Sequence, residues 1–431
     1  MTAQDTEPLS LNGLQEFAEI LGSRRVRALF QPVVDLANGQ VVGYEALARG
    51  PVGSPYESPL ALFAAAQRTG RTSELDWLCR AAAFEAALAD GGSQLAGAVP
   101  LFLNCEPTAF GSPCPPDLQP IVDTARRRLH VVMEVTERDI ARDPAGLLSA
   151  VAQAREGLWG VALDDVGAEP DSMALMPFIN PDVIKLDLRL IQARTTAEVA
   201  RIINAVLAQA ERTGATILAE GIETAHHEQI ARAMGATIGQ GWLYGRPGPL
   251  PRTVPSPSHP LRLIDVEDAT TNQTPFDIIA AGRKTTRSAK DLLIPMSMHL
   301  ENKGLEGTEP VVLLACFQEA QHFTGRARAR FERLARTASF VGAVGAGMDP
   351  TPAAGVRGAN LTHDDRLRGE WDVIVVGPHF AGALVARDCG DTGPDLQRRF
   401  DCVITYDRPL VIEAARALLS TLLPATPEST A

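Results

Sequence analysis

The chain has 431 residues, more than one hydrophobic core normally organises, so the length predicts two domains. Hydrophobic residues make up 45% and charged residues 21% of the sequence, values that are typical of a globular protein and exclude a disordered or fibrous class. The formal net charge of −12 argues against a protein that coats nucleic-acid polymers, because such binding depends on clustered Lys and Arg.

The N-terminal residues 1–10 are acidic and polar, and we expect them to be disordered. No apolar run in the sequence approaches the ~20 residues that a membrane-spanning helix needs. We therefore expect no membrane association and a cytoplasmic location.

The first predicted strands form a hairpin between Ala28 and Ala48. The two runs, LFQPVVDL and QVVGYEALA, meet at Asn38-Gly39, a dipeptide that is typical of a type I′ turn. We therefore expect the first domain to open with an antiparallel strand pair.

Six further short β-like runs follow, and helical stretches separate them. The runs are PLFLN at 100–104, VVMEV at 131–135, GVALDD at 160–165, DVIKLD at 182–187, TILAE at 216–220 and ATIGQG at 236–241. The clearest helix covers 197–213, where apolar residues recur every three or four positions and Gly214 suits the C-terminal end. This alternation predicts an α/β fold, either a barrel or a doubly wound sheet.

Polar side chains stand at the ends of nearly all of these runs, and in a parallel barrel such ends converge on one face. The set consists of Glu45, Asn104, Glu134, Asp164, Asp165, Lys185, Glu220 and Gln240. Carboxylates packed together repel one another unless cations neutralise them, and oxygen ligands favour Mg²⁺ or Mn²⁺ over zinc. Paired hard cations suit a phosphodiester, whose attacking and leaving oxygens they can clamp.

These motifs match a known family. The strings FQPVVDL, YEALARG, LNCE, MEVTE, ALDDVG, VIKLD, LAEGIE and GQGWLYGRP resemble, in order and spacing, those of the EAL-type cyclic di-GMP phosphodiesterases. The resemblance covers residues 11–250 and implies a TIM-like (β/α)8 barrel with one antiparallel strand. It also implies metal-dependent hydrolysis of cyclic di-GMP to linear pGpG, and a homodimer formed through the barrel.

The resemblance assigns roles to individual residues. The implied metal ligands are Glu45, Asn104, Glu134, Asp164, Asp165 and Glu220, with Asp165 on the second metal. The implied catalytic residues are Glu45, Lys185 and Glu220, among which Lys185 holds or polarises the attacking water. The implied substrate-binding residues are Gln31 near the guanine-binding floor, Arg49 at a phosphate, Asp187 and Gln240. Glu137 is the expected anchor of the loop after Asp165, although Glu137 or Asp187 taken singly also suits a helix cap.

That loop departs from the family pattern. The family usually continues Phe-Gly-Thr-Gly-Tyr-Ser-Ser-Leu after the paired aspartates, whereas this chain reads VGAEPDSM from Val166 to Met173. Glu169 replaces the second glycine and Pro170 follows it, so we expect a different loop backbone. The rival hypothesis to an enzyme is therefore a cyclic di-GMP receptor that is catalytically weak or inactive and signals through the second domain. A third hypothesis, a scaffold without ligand, conflicts with the intact ligand set.

Seven prolines between Pro247 and Pro275 predict an extended linker. The expected organisation is a disordered 1–10, a barrel at 11–250, a linker at 251–273 and a smaller α/β domain at 274–424. The strings PFDII, CFQEAQHF, EWDVIVVGPHFAGALVARD and RRFDCVITYDRPLV resemble the DICT-type sensory domain of diguanylate cyclases and two-component proteins. This resemblance implies a signal-input role, with an unknown signal or protein partner.

Overall fold

The computed structural model describes residues 11–89, 99–106, 109, 112–136, 141–168, 173–192, 196–263, 273–306 and 309–422. The predicted disordered residues 1–10 and the predicted loop anchor Glu137 lie outside these ranges. Two sheets organise the described chain: a closed barrel of eight strands and a sheet of seven strands.

The barrel strands hydrogen-bond in chain order from β1 to β8. They are β1 (Arg27–Asp35), β2 (Val41–Arg49), β3 (Leu101–Asn104), β4 (Val131–Thr136), β5 (Gly160–Val166), β6 (Val183–Leu186), β7 (Thr216–Ala219) and β8 (Ile238–Gln240). Strand β1 is antiparallel to both of its neighbours, β2 and β8, whereas β2–β3, β3–β4 and β7–β8 are parallel pairs. The predicted barrel with one antiparallel strand is confirmed.

Helices alternate with these strands, as the sequence pattern predicts. They are α1 (Leu11–Gly22), α2 (Pro59–Arg68), α3 (Thr72–Leu88), α4 (Gln119–Arg128), α5 (Pro144–Glu156), α6 (Met176–Ile179), α7 (Leu188–Gln192), α8 (Ala197–Thr213) and α9 (Ala225–Ala233). Helix α8 has the predicted bounds: Thr196 caps its N-terminus, and Gly214 ends it with φ 81°. No helix in the described ranges is both long and apolar enough to cross a membrane.

The hairpin between β1 and β2 has a different turn from the one predicted. A type I′ turn requires positive φ at both central residues, but only Gly39 has it, at 73°. The Asp35 carboxylate accepts the backbone N–H of Ala37 at 2.7 Å, and Asn38 accepts that of Gln40 at 2.8 Å. These side-chain bonds stabilise a longer turn, so the type I′ prediction is wrong while the predicted strand pair is confirmed.

Contacts between Cα atoms divide the chain into two compact units. The first holds residues 1–135, 154–162 and 216–264, and the second holds 136–153, 163–215 and 265–431. The predicted domain boundaries around residues 251–273 therefore stay a prediction.

The sheet of the C-terminal region has the strand order β12-β11-β10-β13-β14-β15-β9. Its strands are β9 (Thr286–Ala289), β10 (Val312–Glu319), β11 (Phe340–Ala346), β12 (Arg357–Asn360), β13 (Glu370–Val376), β14 (Ala381–Asp388) and β15 (Arg399–Thr405). Its helices are α10 (Pro275–Ala280), α11 (Lys290–Glu306), α12 (Gly325–Leu334) and α13 (Arg408–Leu419). The core on one face includes three mutually packed rings, Phe317, Phe323 and Phe331. A smaller α/β domain is confirmed.

A buried group of charges lies near the N-terminus of α10. Glu370 is fully buried and accepts hydrogen bonds from the Thr274 hydroxyl, the Phe276 backbone N–H and Arg387. Arg387 also bonds Asp277 at 2.7 Å, and its guanidinium lies 4.3 Å from the ring centre of Phe276. Two carboxylates thus share one arginine.

Candidate active site

The predicted polar residues lie on the barrel strands or directly after them. Gln31 of β1 and Glu45 of β2 lie opposite each other in the strand register. Asn104 ends β3 and lies opposite Glu134 of β4. Glu220 directly follows β7. Asn104 and Glu220 thus lie at strand ends, as expected, whereas Gln31, Glu45 and Glu134 lie inside their strands.

Glu45 is the centre of one hydrogen-bonded network and is only 6% exposed. Its Oε1 accepts the Asn104 side-chain N–H at 3.0 Å, and its Oε2 accepts that of Gln240 at 2.6 Å. The same Gln240 nitrogen donates to Gln31 Oε1 at 3.1 Å, while Gln31 donates to the Gly245 carbonyl at 3.0 Å. The buried carboxylate is therefore oriented by two neutral amides.

The turn that leaves β8 fixes Gln240 in this network. Gly241 follows Gln240, and a Cβ atom at Gly241 would lie 2.1 Å from the Ile222 carbonyl oxygen. Ile222 also donates its backbone N–H to the Gln240 carbonyl at 3.0 Å. Glycine at 241 is therefore required for the close approach of the two backbones.

Strands β5 and β6 supply a second network. Lys185 is 1% exposed, and its Nζ lies 2.9 Å from Asp164 Oδ1, which also accepts the backbone N–H of Asp165 at 3.0 Å. Asp165 adopts a left-handed backbone with φ 56°, which non-glycine residues other than Asn and Asp rarely take. This conformation interrupts the extended backbone of β5 directly after Asp164.

Three carboxylates are close enough to hold a cation together. Asp164, Asp165 and Glu220 each offer an oxygen, and these atoms lie within 4.8 Å of one another. The donor set of carboxylate and amide oxygens fits a hard divalent cation such as Mg²⁺ or Mn²⁺. Glu134, the remaining predicted ligand, is 1% exposed on β4.

Two predicted substrate-binding residues, Arg49 and Asp187, form hydrogen bonds outside the network of Glu45. Arg49 ends β2, donates to the Ala48 carbonyl at 2.8 Å and has a pKa that is lowered by burial and by nearby Arg27. Both carboxylate oxygens of Asp187 accept hydrogen bonds from Arg189, at 2.9 and 3.2 Å. Arg49 keeps a partly buried positive charge at a strand end, whereas Asp187 is paired with its own neighbour.

The altered loop and its expected anchor are only partly described. Residues 169–172, which include Glu169 and Pro170, lie outside the described ranges, as does Glu137. Gly167 precedes the gap with φ 97°, and a Cβ atom there would lie 2.6 Å from Leu190. The start of the loop therefore packs closely enough on α7 to require glycine.

Sequence reasoning missed one residue next to this site. Asp76 on α3 is buried, and its carboxylate accepts the backbone N–H of Glu106 at 2.9 Å, two residues after Asn104. Asp76 and Arg80 are four residues apart on a helix, a spacing that is typical of exposed surface pairs. The available signal was the apolar surrounding of Asp76, with Leu75 and Leu78 on either side.

Two family models match the chain. The model described as EAL domain matches residues 14–247, and the model described as sensory domain in diguanylate cyclases and two-component system matches residues 279–388. The second match agrees with the resemblance that the C-terminal motifs carry.

Curated relatives cover the barrel region. The chain is 30% identical over 233 residues to the probable cyclic di-GMP phosphodiesterase PdeB of Escherichia coli strain K12, covering 53% of this chain and 44% of PdeB. It is 27% identical over 252 residues to the cyclic di-GMP phosphodiesterase RocR of Pseudomonas aeruginosa, covering 56% of this chain and 62% of RocR. The chain thus spans less than two thirds of either relative.

Solved structures are similar to about half of the chain. The structure titled PaMucR phosphodiesterase, c-di-GMP complex, has 26% identity and a TM-score of 0.47, covering 56% of this chain and 98% of that chain. A manganese and cy-diGMP complex of Klebsiella pneumoniae BlrP1 has 26% identity and a TM-score of 0.44, covering 52% of this chain and 56% of that chain. Because the EAL model matches more than half of the 431 residues, the chain belongs to the EAL domain family.

Proposed function

We propose that the barrel binds cyclic di-GMP through divalent cations and hydrolyses one of its phosphodiester bonds to give linear pGpG. The observation that carries this proposal is the buried Glu45 carboxylate, held by the Asn104 and Gln240 amides at the strand ends. Membership of the EAL family and the relatives that are named cyclic di-GMP phosphodiesterases support it.

The proposed cation ligands are Glu45, Asn104, Glu134 and Asp164 for one ion, and Asp165 with Glu220 for the second. When bound, Mg²⁺ or Mn²⁺ would supply charge neutralisation at the phosphate and acidification of water. The hydrogen bonds to Glu45 orient its carboxylate before any cation arrives, which reduces the ordering that binding requires.

Lys185 is proposed to hold the attacking water. Its ammonium is buried and lies 2.9 Å from Asp164, so its direction is fixed by a proposed ligand. Water adds to phosphorus in line with the leaving ribose oxygen, the bond from phosphorus to that oxygen breaks, and the oxygen takes up a proton. One cyclic dinucleotide and one water therefore give one pGpG, and the chain contributes positioning and electrostatics.

Four residues are proposed to bind the substrate. Arg49 offers a guanidinium to a phosphate, and Gln31 and Gln240 line the site beside Glu45. Asp187 is proposed as the fourth, a role that would require it to exchange its bonds with Arg189 for substrate. Modulation of turnover by the DICT domain and a homodimer through the barrel belong to the same proposal.

A receptor without turnover is the second candidate function. The observation that favours it is the substitution of Glu169-Pro170 for the family's glycine-containing loop after the paired aspartates. Such a receptor would bind cyclic di-GMP with the same strand-end residues and signal through the second domain.

The test incubates the purified full chain with cyclic di-GMP and either Mg²⁺ or Mn²⁺, and follows pGpG by chromatography. We expect metal-dependent pGpG from the wild type, none from Glu45→Ala, and wild-type rates from Glu74→Ala. Glu74 is a matched control because its carboxylate is exposed and paired with Arg71 on α3. Binding of cyclic di-GMP without turnover would establish the receptor, and absence of both would contradict the proposed function.

A further inference from the structure

Helix α3 contains a buried ion pair formed by Asp76 and Arg80. Asp76 is 1% exposed and Arg80 is 6% exposed, and Arg80 Nη2 contacts Asp76 Oδ2. Burial raises the pKa of the Asp76 carboxyl, while Arg80 and the Glu106 N–H act in the opposite direction. A buried ion pair stabilises a fold no better than well-packed apolar residues of similar size, so its presence here calls for another explanation.

The second oxygen of Asp76 provides that explanation. Asp76 Oδ1 accepts the backbone N–H of Glu106 at 2.9 Å, and Cys105 donates its own backbone N–H to the Glu134 carbonyl at 3.2 Å. The chain leaving β3 is therefore held from the helix side by Asp76 and from the sheet side by β4. Asn104, directly before these two residues, donates its amide to Glu45 at 3.0 Å.

Arg80 is itself held in place. Its guanidinium carbon lies 4.5 Å from the ring centre of Trp77, and the Trp77 indole N–H donates to the Ser112 carbonyl at 3.3 Å. Asp76 supplies a negative charge that matches the buried arginine.

We propose that Asp76, held by Arg80, is a positioning residue that fixes the strand-end segment carrying Asn104 and so sets the affinity of the site for its divalent cation. This inference rests on the proposed function, because it takes Asn104 as a cation ligand. Asp76 acts through the backbone of Glu106 and touches neither substrate nor cation.

The experiment measures Mn²⁺ binding to the full chain by calorimetry, without nucleotide, and amide hydrogen exchange of the segment around Cys105-Glu106 by mass spectrometry. Asp76→Ala should weaken Mn²⁺ binding by about tenfold or more and speed exchange of this segment. Asp76→Asn keeps an oxygen acceptor for the Glu106 N–H and should recover most of both properties.

A matched control is Glu301→Gln, which alters another buried carboxylate that is paired with an arginine, Arg330 on α12. It should lower thermal stability and leave Mn²⁺ affinity unchanged. If Asp76→Ala does not fold, Asp76→Leu combined with Arg80→Met replaces the ion pair by apolar side chains and still removes the acceptor. This double variant should fold and bind Mn²⁺ as weakly as expected for Asp76→Ala.

The outcomes separate this inference from the proposed function. Wild-type Mn²⁺ affinity and slow exchange in a folded variant without the Asp76 acceptor would overturn the positioning role. If the wild type bound no Mn²⁺, the proposed function would fail, and exchange alone would decide: faster exchange in the variant supports positioning by Asp76, and unchanged exchange overturns it.

Discussion

The barrel and the C-terminal sheet each bury a carboxylate on one of their strands, Glu45 on β2 and Glu370 at the start of β13, but the partners of the two carboxylates differ. Glu45 in the barrel accepts hydrogen bonds from the neutral amides of Asn104 and Gln240. Glu370 in the C-terminal sheet accepts hydrogen bonds from Thr274 and from the charged Arg387. Amides orient a carboxylate without neutralising it, whereas a guanidinium does both. The comparison teaches that two buried carboxylates can be oriented by different groups, side-chain amides in the barrel and an arginine in the C-terminal sheet.

The largest expected effect is on turnover and concerns Lys185, a buried lysine of the barrel. Lys185→Met should reduce the rate of pGpG formation by about a hundredfold or more, because Lys185 is the proposed donor to the attacking water. The control is Lys290→Met, which removes a lysine at the start of α11 that pairs with Asp395 in the C-terminal region. Equal rates for the Lys185→Met variant and the wild type would remove Lys185 from the proposed chemistry.

The second effect is on stability and concerns the C-terminal arginine. Arg387→Met should lower the free energy of unfolding by about 3 kcal/mol, because Glu370 stays buried without its charged partner. Denaturant unfolding at neutral pH measures this change. Arg287→Met removes an exposed partner of Asp401 and should leave the free energy of unfolding unchanged. A similar loss in both variants would mean that burial does not distinguish the two pairs.

The third effect separates the two regions by their response to metal. Mn²⁺ at about a hundred times its dissociation constant should stabilise the barrel by about 2.7 kcal/mol, since a ligand of the folded state adds RT ln(1 + [L]/Kd). Hydrogen exchange should slow around Glu45 and Asn104 and stay unchanged around Glu370. Glu45→Ala should abolish the slowing. Slower hydrogen exchange around Glu370 in the presence of Mn²⁺ would contradict the expectation that Mn²⁺ binds only in the barrel.

The smallest effect is a pH dependence within the C-terminal sheet. Burial, together with nearby Glu370, raises the pKa of Asp372 well above its usual range. The folded state then binds more protons than the unfolded state between the two pKa values, so stability is highest below the unfolded pKa and falls as pH rises. Asp372→Asn should flatten this slope in melting temperatures recorded from about pH 4 to about pH 8. If the melting temperatures of the variant and the wild type changed with pH in the same way, Asp372 would not be the group responsible for this pH dependence.

Much of the barrel could be predicted from sequence, because its short apolar runs end in polar residues and its helices show regular spacing. The β8 strand is shorter than its run, since Gly241 turns the chain at Ile222. The hairpin turn was predicted wrongly because Asp35 and Asn38 bond the backbone and stabilise a longer loop. Such side-chain competition depends on geometry that a dipeptide does not specify.

Some features could not be predicted because their partners are far apart in sequence. Glu370 meets Thr274 across 96 residues, and Asp76 meets Glu106 across 30. The sequence pattern predicts no strand at 381–388, although β14 pairs there with two neighbours in the sheet. The spacing of Asp76 and Arg80 along the helix did not indicate that the pair is buried or that Asp76 contacts Glu106, because the same spacing is common on exposed helix surfaces.

The left-handed backbone at Asp165 has a consequence for how this protein can change by inheritance. A single base change converts an aspartate codon to asparagine, a residue that tolerates the same backbone. Such a descendant would keep its barrel and lose one charge of the strand-end set. If Asp165 holds a cation as proposed, such a descendant would lose a carboxylate ligand while it keeps the backbone that this position requires.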